Sequence, residues 1–180
     1  MPRAEREDEM LRAAGEVFAR SGFHEASMDA IADAAGISKP MLYNYFGSKQ
    51  GLYAASIERS GRALLATMRE AGSREAPPDQ RLHAGILAFL TYAEEHRAGW
   101  TILYRETLAQ GGLVAEELSG LRHRITEMLT TLLGDEAFAH AVTGAGESLA
   151  SWWLEHPEQP KERIATILMG IAQSGVSFTR

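Results

Sequence analysis

A chain of 180 residues with 45% hydrophobic content has enough apolar material for a core and fits one large domain or two small ones. It contains no cysteine, which rules out a disulfide framework and a thiolate metal site and points to a reducing compartment. A formal net charge of −6 argues against a generally basic nucleic-acid coat but not against a local basic face, because salt screens surface charges beyond ~8–10 Å.

Residues 1–20 (MPRAEREDEMLRAAGEVFAR) are too charged for the apolar core of a signal peptide. No apolar run approaches the ~20 residues of a membrane span, so the expectation is a soluble cytoplasmic chain with no membrane partner. Proline stands only at 2, 40, 77, 78, 157 and 160, and the long stretches between read at the helical period. Met10, Leu11, Ala14, Val17 and Phe18 form the first apolar stripe, stopped at Ser21-Gly22. Ser27 can cap a two-turn helix through Ala35, with Asp29 in the first turn where the dipole favours an anion and Gly36 placed for a left-handed exit. Ser38 or Lys39 opens a third short helix, where Pro40 is tolerated because the first amide hydrogens lack helical partners anyway.

Gly47 ends that helix, and Ser48 caps a long fourth one whose apolar positions Leu52, Ile57, Leu64, Leu65 and Met68 run to about Ala71. The stretch GSREAPPDQ, residues 72–80, reads as a linker. Five further helices are expected near 79–96, 98–109, 113–133, 135–155 and 159–175. The fold class is therefore all-α with about nine helices: a small three-helix unit, a connecting fourth helix and a larger helical C-terminal part.

Two short helices joined by a tight glycine turn and buttressed by a preceding helix are the layout of a helix-turn-helix DNA reader. In DAIADAAGISKPMLYNYF, the residues Ile31, Ala35, Ile37, Leu42 and Phe46 are spaced to share a miniature core with Val17 and Phe18. The other face of the third helix then carries Lys39, Met41, Tyr43, Asn44 and Tyr45. These types suit DNA: lysine neutralises phosphate, tyrosine hydroxyls bond phosphate oxygens, asparagine pairs two-handedly with adenine and methionine meets a thymine methyl.

The stretch from Ala26 to Leu52, ASMDAIADAAGISKPMLYNYFGSKQGL, resembles the DNA-binding signature of the TetR family of bacterial transcriptional regulators. The match is close over about the first quarter of the chain, and the helix layout of the remainder agrees in count and length. The resemblance implies a helix-turn-helix domain over 1–50 and a helical ligand-binding and dimerisation domain over 51–180. It implies phosphate contacts from Ser27, Tyr43, Tyr45 and Lys49, and base-edge contacts from Lys39, Pro40, Met41 and Asn44. Ser27 stands where threonine is usual and keeps the hydroxyl. Asn44 stands where the family is often bulkier, and Gly51 is less helix-friendly than the usual polar residue.

Phe138, Val142, Ala145, Leu149 and Trp152 follow a 4-3-4-3 spacing, and Ile164, Ile167, Leu168 and Ile171 form a second stripe. Periodicity alone leaves open whether these face a second copy or the chain's own core. The resemblance implies a homodimer through these last two helices, with Phe138, Val142, Leu149, Ile164, Ile167, Leu168 and Ile171 at the interface. It also implies a small-molecule effector, for which Phe89, Tyr92, Trp100, Leu103, Tyr104, Met128 and Trp152 or Trp153 are candidate lining, with Arg105 and Glu106 beside Tyr104 as weaker polar candidates. His123 and Glu127 lie opposite the Leu118, Leu121, Ile125, Met128 and Leu132 stripe and read as a solvated pair.

None of the six histidines follows a glutamate by three residues, and HExxH, GxxxxGK[ST] and GxSxG are all absent. An enzyme is not expected, nor a metal or other cofactor. The expected function is a homodimeric, effector-released repressor bound to a palindromic double-stranded DNA operator, repression being the family's usual mode.

Overall fold

The computed structural model describes residues 2–73, 75–104 and 112–177, and every regular element among them is helical. In chain order these are α1 (Arg3–Glu25), α2 (Met28–Ala35), α3 (Lys39–Phe46), α4 (Lys49–Gly72), α5 (Pro78–Glu95), α6 (Arg97–Tyr104), α7 (Leu113–Leu133), α8 (Glu136–Glu155) and α9 (Lys161–Ser177). The predicted stop in the first helix is present as a kink: Gly22 leaves helical geometry at φ 76°, ψ 164°, and a further turn follows it. That backbone conformation is one that glycine adopts without steric cost.

The chain forms two compact units that are not contiguous in sequence. One comprises Met1–Arg62 and Arg97–Ser119, the other Ala63–His96 and Gly120–Arg180. In the first, α1 packs on α2 and α6, and α2 packs on α3. Met10, Val17, Phe18, Ile31, Leu42, Leu52 and Ile57 are buried together with Tyr53. The Phe18 ring meets Tyr53 edge-on at 4.7 Å, and Phe23 lies 5.1 Å from the same ring, an arrangement aromatic quadrupoles favour. Ala35, Ile37 and Phe46, expected in this core, are only half-buried; Tyr53 and Phe23 supply the bulk instead. Gly15 permits the approach of α6, since a Cβ there would lie 3.4 Å from Ile102 Cδ1. Arg59 grips the Asp8 carboxylate through Nε at 2.5 Å and Nη2 at 3.0 Å, joining α4 to α1. The hydrogen bond from Arg59 holds the Asp8 carboxyl below its ordinary value.

In the second unit, α5 packs on α8 and α9, and α8 packs on α9. Ile86, Leu90, Ala139, Val142, Ala150, Trp153, Ile164, Ala165 and Leu168 are buried there. Asp135 caps α8 by accepting the Phe138 amide at 2.7 Å. Lys161 ties the start of α9 to α5, donating to Glu94 at 2.8 Å and to Thr91 at 3.1 Å. Of the residues expected at an interface between copies, Val142, Ile164 and Leu168 are already enclosed by their own chain at 5%, 0% and 2% exposure. They have almost no surface left to lose to a partner, so they belong to the core. Ile167 and Ile171 remain exposed on α9, with Phe138 and Leu149 half-buried on α8.

Candidate nucleic-acid interface

The segment from Ser27 to Lys49 builds its geometry almost entirely from short-range bonds. Ser27 has extended backbone, and its Oγ accepts the Ala30 amide at 3.0 Å, satisfying one of the amides left open at the start of α2. Gly36 closes α2 in the left-handed region at φ 64°, ψ 33°. Its amide donates to the Asp33 carbonyl at 3.1 Å, and the Ile37 amide donates to Ala32 at 3.0 Å. These are the two bonds of a Schellman termination. Ser38 is the cap of α3 through its backbone alone, with no side-chain cap bond; Pro40, in the first turn, has no amide hydrogen to satisfy. Gly47 ends α3 at φ 73°, and its amide donates to Tyr43 at 2.8 Å. Ser48 then caps α4, its Oγ accepting from Gly51 at 2.9 Å. At Gly51 a Cβ would come within 2.3 Å of the Phe46 carbonyl oxygen, so the turn brings that carbonyl against the bare first turn of α4.

Leu42 is the fully buried anchor of α3, and its position sorts the remaining residues of that helix. Lys39, Pro40, Tyr43 and Asn44 are exposed, with Tyr43 at 44% among the most exposed large hydrophobic residues described. Met41 and Tyr45 are half-buried. The outward face is therefore narrower than the sequence suggests, and it centres on Lys39, Tyr43 and Asn44.

Each cation near this face has a partner within the protein. The Lys39 ammonium donates to Asp29 Oδ2 at 2.9 Å, joining the start of α3 to the first turn of α2. That hydrogen bond raises the Lys39 ammonium above its ordinary value. Lys49 donates to the His24 carbonyl at 2.9 Å and lies 4.8 Å above the Phe23 ring, which fixes the start of α4 to the last turn of α1, after the Gly22 kink. Two donor hydrogens of an ammonium remain beyond such a bond, so the phosphate role and the latch role are compatible at Lys49. The Arg3 guanidinium sits 5.2 Å from the Tyr45 ring centroid, within cation–π range. Sequence reasoning missed Arg3, Phe23 and Asp29 as members of this site. Only Asp29 carried a local signal, as an acid in a first turn; the others are brought in by folding across more than twenty residues.

The candidate effector residues fall in both units. Phe89 and Tyr92 are buried in the second, where Met128 is half-buried and Trp152 is exposed at 40%. Trp100 and Leu103 are buried in the first, where Tyr104 is half-buried with its ring 4.0 Å from Trp100. Trp152 stacks on His156 at 4.3 Å, and Trp153 is buried with its indole N–H donated to the Gln159 carbonyl at 2.9 Å. His123 and Glu127 are 3.4 Å apart and both exposed, as a solvated pair should be. Arg105 and Glu106 lie outside the described residues. Among the described residues no group of His, Asp or Glu is arranged to hold a metal ion, and no helix is long and apolar enough to cross a membrane.

Residues 10–56 match the family model described as bacterial regulatory proteins, tetR family, and residues 78–173 match the tetracyclin repressor-like C-terminal domain. The HTH-type transcriptional activator FasR of Mycolicibacterium smegmatis is 34% identical over 137 residues, covering 76% of this chain and 63% of that protein. The HTH-type transcriptional repressor NicS of Pseudomonas putida is 32% identical, covering 64% of this chain and 54% of its own length. The chain thus spans between about half and just under two thirds of the length of these curated relatives. A TetR-like transcriptional regulator from Rhodococcus sp. RHA1 superposes with a TM-score of 0.84 at 39% identity, covering 98% of each chain. The Bacillus subtilis regulator FadR, solved in complex with stearoyl-CoA, shares the fold at a TM-score of 0.80 and 15% identity, covering 96% of this chain and 99% of its own.

Proposed function

We propose that this chain, which belongs to the TetR family of bacterial regulatory proteins, is a homodimeric transcriptional repressor that binds a palindromic operator and is released by a small-molecule effector. The observation that carries the reading is the outward face of α3. Lys39, Tyr43 and Asn44 stand exposed on a helix anchored by Leu42 and set by the Gly36 turn. A cation, a phenol and an amide projecting from a short helix have no packing role there, and together they match phosphate and base edges. In this reading Ser27, Tyr43, Tyr45 and Lys49 hold the backbone, while Lys39, Pro40, Met41 and Asn44 meet the bases.

One such head spans only a few base pairs, so specificity needs two, with their recognition helices ~34 Å or a multiple apart. The pairing face is formed by Phe138, Leu149 and Trp152 on α8 with Ile167 and Ile171 on α9. Trp152, Ile167 and Ile171 are three of the four exposed large hydrophobics among the described residues, at 40%, 38% and 37%. Release requires an effector that binds the DNA-incompetent state more tightly than the competent one. The candidates for holding it in the second unit are Phe89, Tyr92 and Met128. An activator is the second reading, favoured by the 34% identity to FasR, which bears that name.

The test is in vitro selection of randomised duplexes by the purified protein at moderate salt. The expected result is a palindromic consensus with half-sites about one helical turn apart. An absence of enrichment, persisting after the protein is unfolded and refolded away from any bound small molecule, would overturn the reading. Transcription in vitro from a template bearing the consensus separates repression from activation.

A further inference from the structure

Asp29 is a carboxylate on a face whose proposed ligand is a polyanion. Its side chain is 69% exposed, and it is the partner of Lys39, the cation that opens the recognition helix. Helix capping does not require it, since Ser27 already accepts the Ala30 amide. The pair is set by folding, because Asp29 lies ten residues before Lys39 and on a different helix. We propose that Asp29 is a specificity-setting residue: it holds the Lys39 ammonium on the protein and yields it only to a base edge with strong acceptors, such as the O6 and N7 of guanine. The inference rests on the DNA-binding reading above.

On a duplex without that base step, Lys39 stays with Asp29. The pair is then electrically neutral at the surface, releases no counterion from the phosphates and adds nothing to sequence-independent affinity. On the correct step, two acceptors in the major groove replace the carboxylate, and the ammonium transfers to them. An exposed ion pair is weak enough to be exchanged in this way. A wrong duplex therefore loses the Lys39 contact altogether, whereas on a correct one the small cost of exchanging the pair is offset by the two base acceptors, which is how a competing element raises discrimination.

The experiment measures fluorescence anisotropy of the full chain on two duplexes of equal length, the one enriched by selection and a scrambled one, over a range of salt. The variants are Asp29→Asn, Asp29→Ala, Lys39→Gln and the double variant Asp29→Asn with Lys39→Gln, each checked for wild-type helical circular dichroism. The Asp29 variants are expected to tighten the scrambled duplex roughly three-fold per head, about ten-fold for two heads. The salt slope should steepen by about 0.9 per head as Lys39 becomes a free phosphate ligand. The enriched duplex should gain less, so the ratio between the two falls, and the effect should vanish in the Lys39→Gln background. Unchanged affinity for the scrambled duplex would overturn the proposal. So would a gain that survives in the Lys39→Gln background, because Asp29 would then act on phosphate directly. Failure of the wild-type chain to bind any duplex is a different outcome and removes the DNA-binding reading itself.

Discussion

Lys49 illustrates how one side chain can serve both a site and its scaffold. Its ammonium is bonded to the His24 carbonyl and rests on Phe23 while facing the proposed phosphate track. Lys49→Ala should therefore weaken binding to all duplexes alike and reduce the salt slope by about 1 per head. It should also lower thermal stability by about 0.5–1 kcal/mol through loss of the cation–π contact. Anisotropy across salt and a melting curve read the two effects separately. Asn44 is exposed on α3 without a scaffold bond of this kind, so Asn44→Ala should leave melting unchanged. Its expected effect is to relax preference at one base step of each half-site by ~1–3 kcal/mol, visible in a repeated selection. Glu147 is a residue-scale case away from DNA. Burial raises its carboxyl above the ordinary value, and the ion pair with Arg122 offsets only part of that cost. Because the folded state binds the proton more tightly than the unfolded one, stability falls as pH rises from the ordinary glutamate pKa to the raised folded one. Glu147→Gln carries no such charge, so its melting temperature relative to wild type should increase with pH across that window and level off above it.

At the scale of the element, the start and stop residues explain why α2 and α3 are so short. Ser27, Gly36, Gly47 and Ser48 act on backbone groups within five residues, and all four were expected in those roles from sequence because such bonds are local. Gly36 is the sharpest test. A Cβ there meets nothing within 4 Å, so the only obstacle to alanine is the left-handed backbone at φ 64°. Gly36→Ala should cost about 1–2 kcal/mol, and Gly36→Asn should recover part of it, both measured by chemical denaturation. The face of α3 was less legible than its ends. Tyr43 and Tyr45 were both expected to point outward, yet Tyr45 is half-buried with Arg3 against its ring. An eight-residue helix has too few turns for period alone to define which side is covered.

For the whole molecule, the proposed pairing of two heads depends on the exposed apolar residues of α8 and α9. The double variant Ile167→Glu with Ile171→Glu should sediment as a monomer and keep its helical spectrum. It should lose about 10²–10⁴-fold in affinity for a palindromic duplex, because the second head no longer binds at high effective concentration. Ile164→Glu is the contrasting substitution, since that side chain is fully enclosed, and it should unfold the second unit instead. All three residues belong to one predicted stripe, and the structure divides them, enclosing Ile164 and leaving Ile167 and Ile171 exposed. By itself the sequence determined whatever depends on neighbours a few residues apart: the helix periods, the caps and breakers, the glycine turn between α2 and α3, and the family signature they carry. Tertiary structure alone decided which apolar stripes are spent inside the chain, that α6 packs on α1, and that Lys39 is held by Asp29 and Lys49 by the last turn of α1. The reason is physical. Backbone hydrogen bonds in helices have fixed short range, so sequence spacing encodes them, whereas hydrophobic burial has no direction and a periodic stripe says that a face is covered without saying by what.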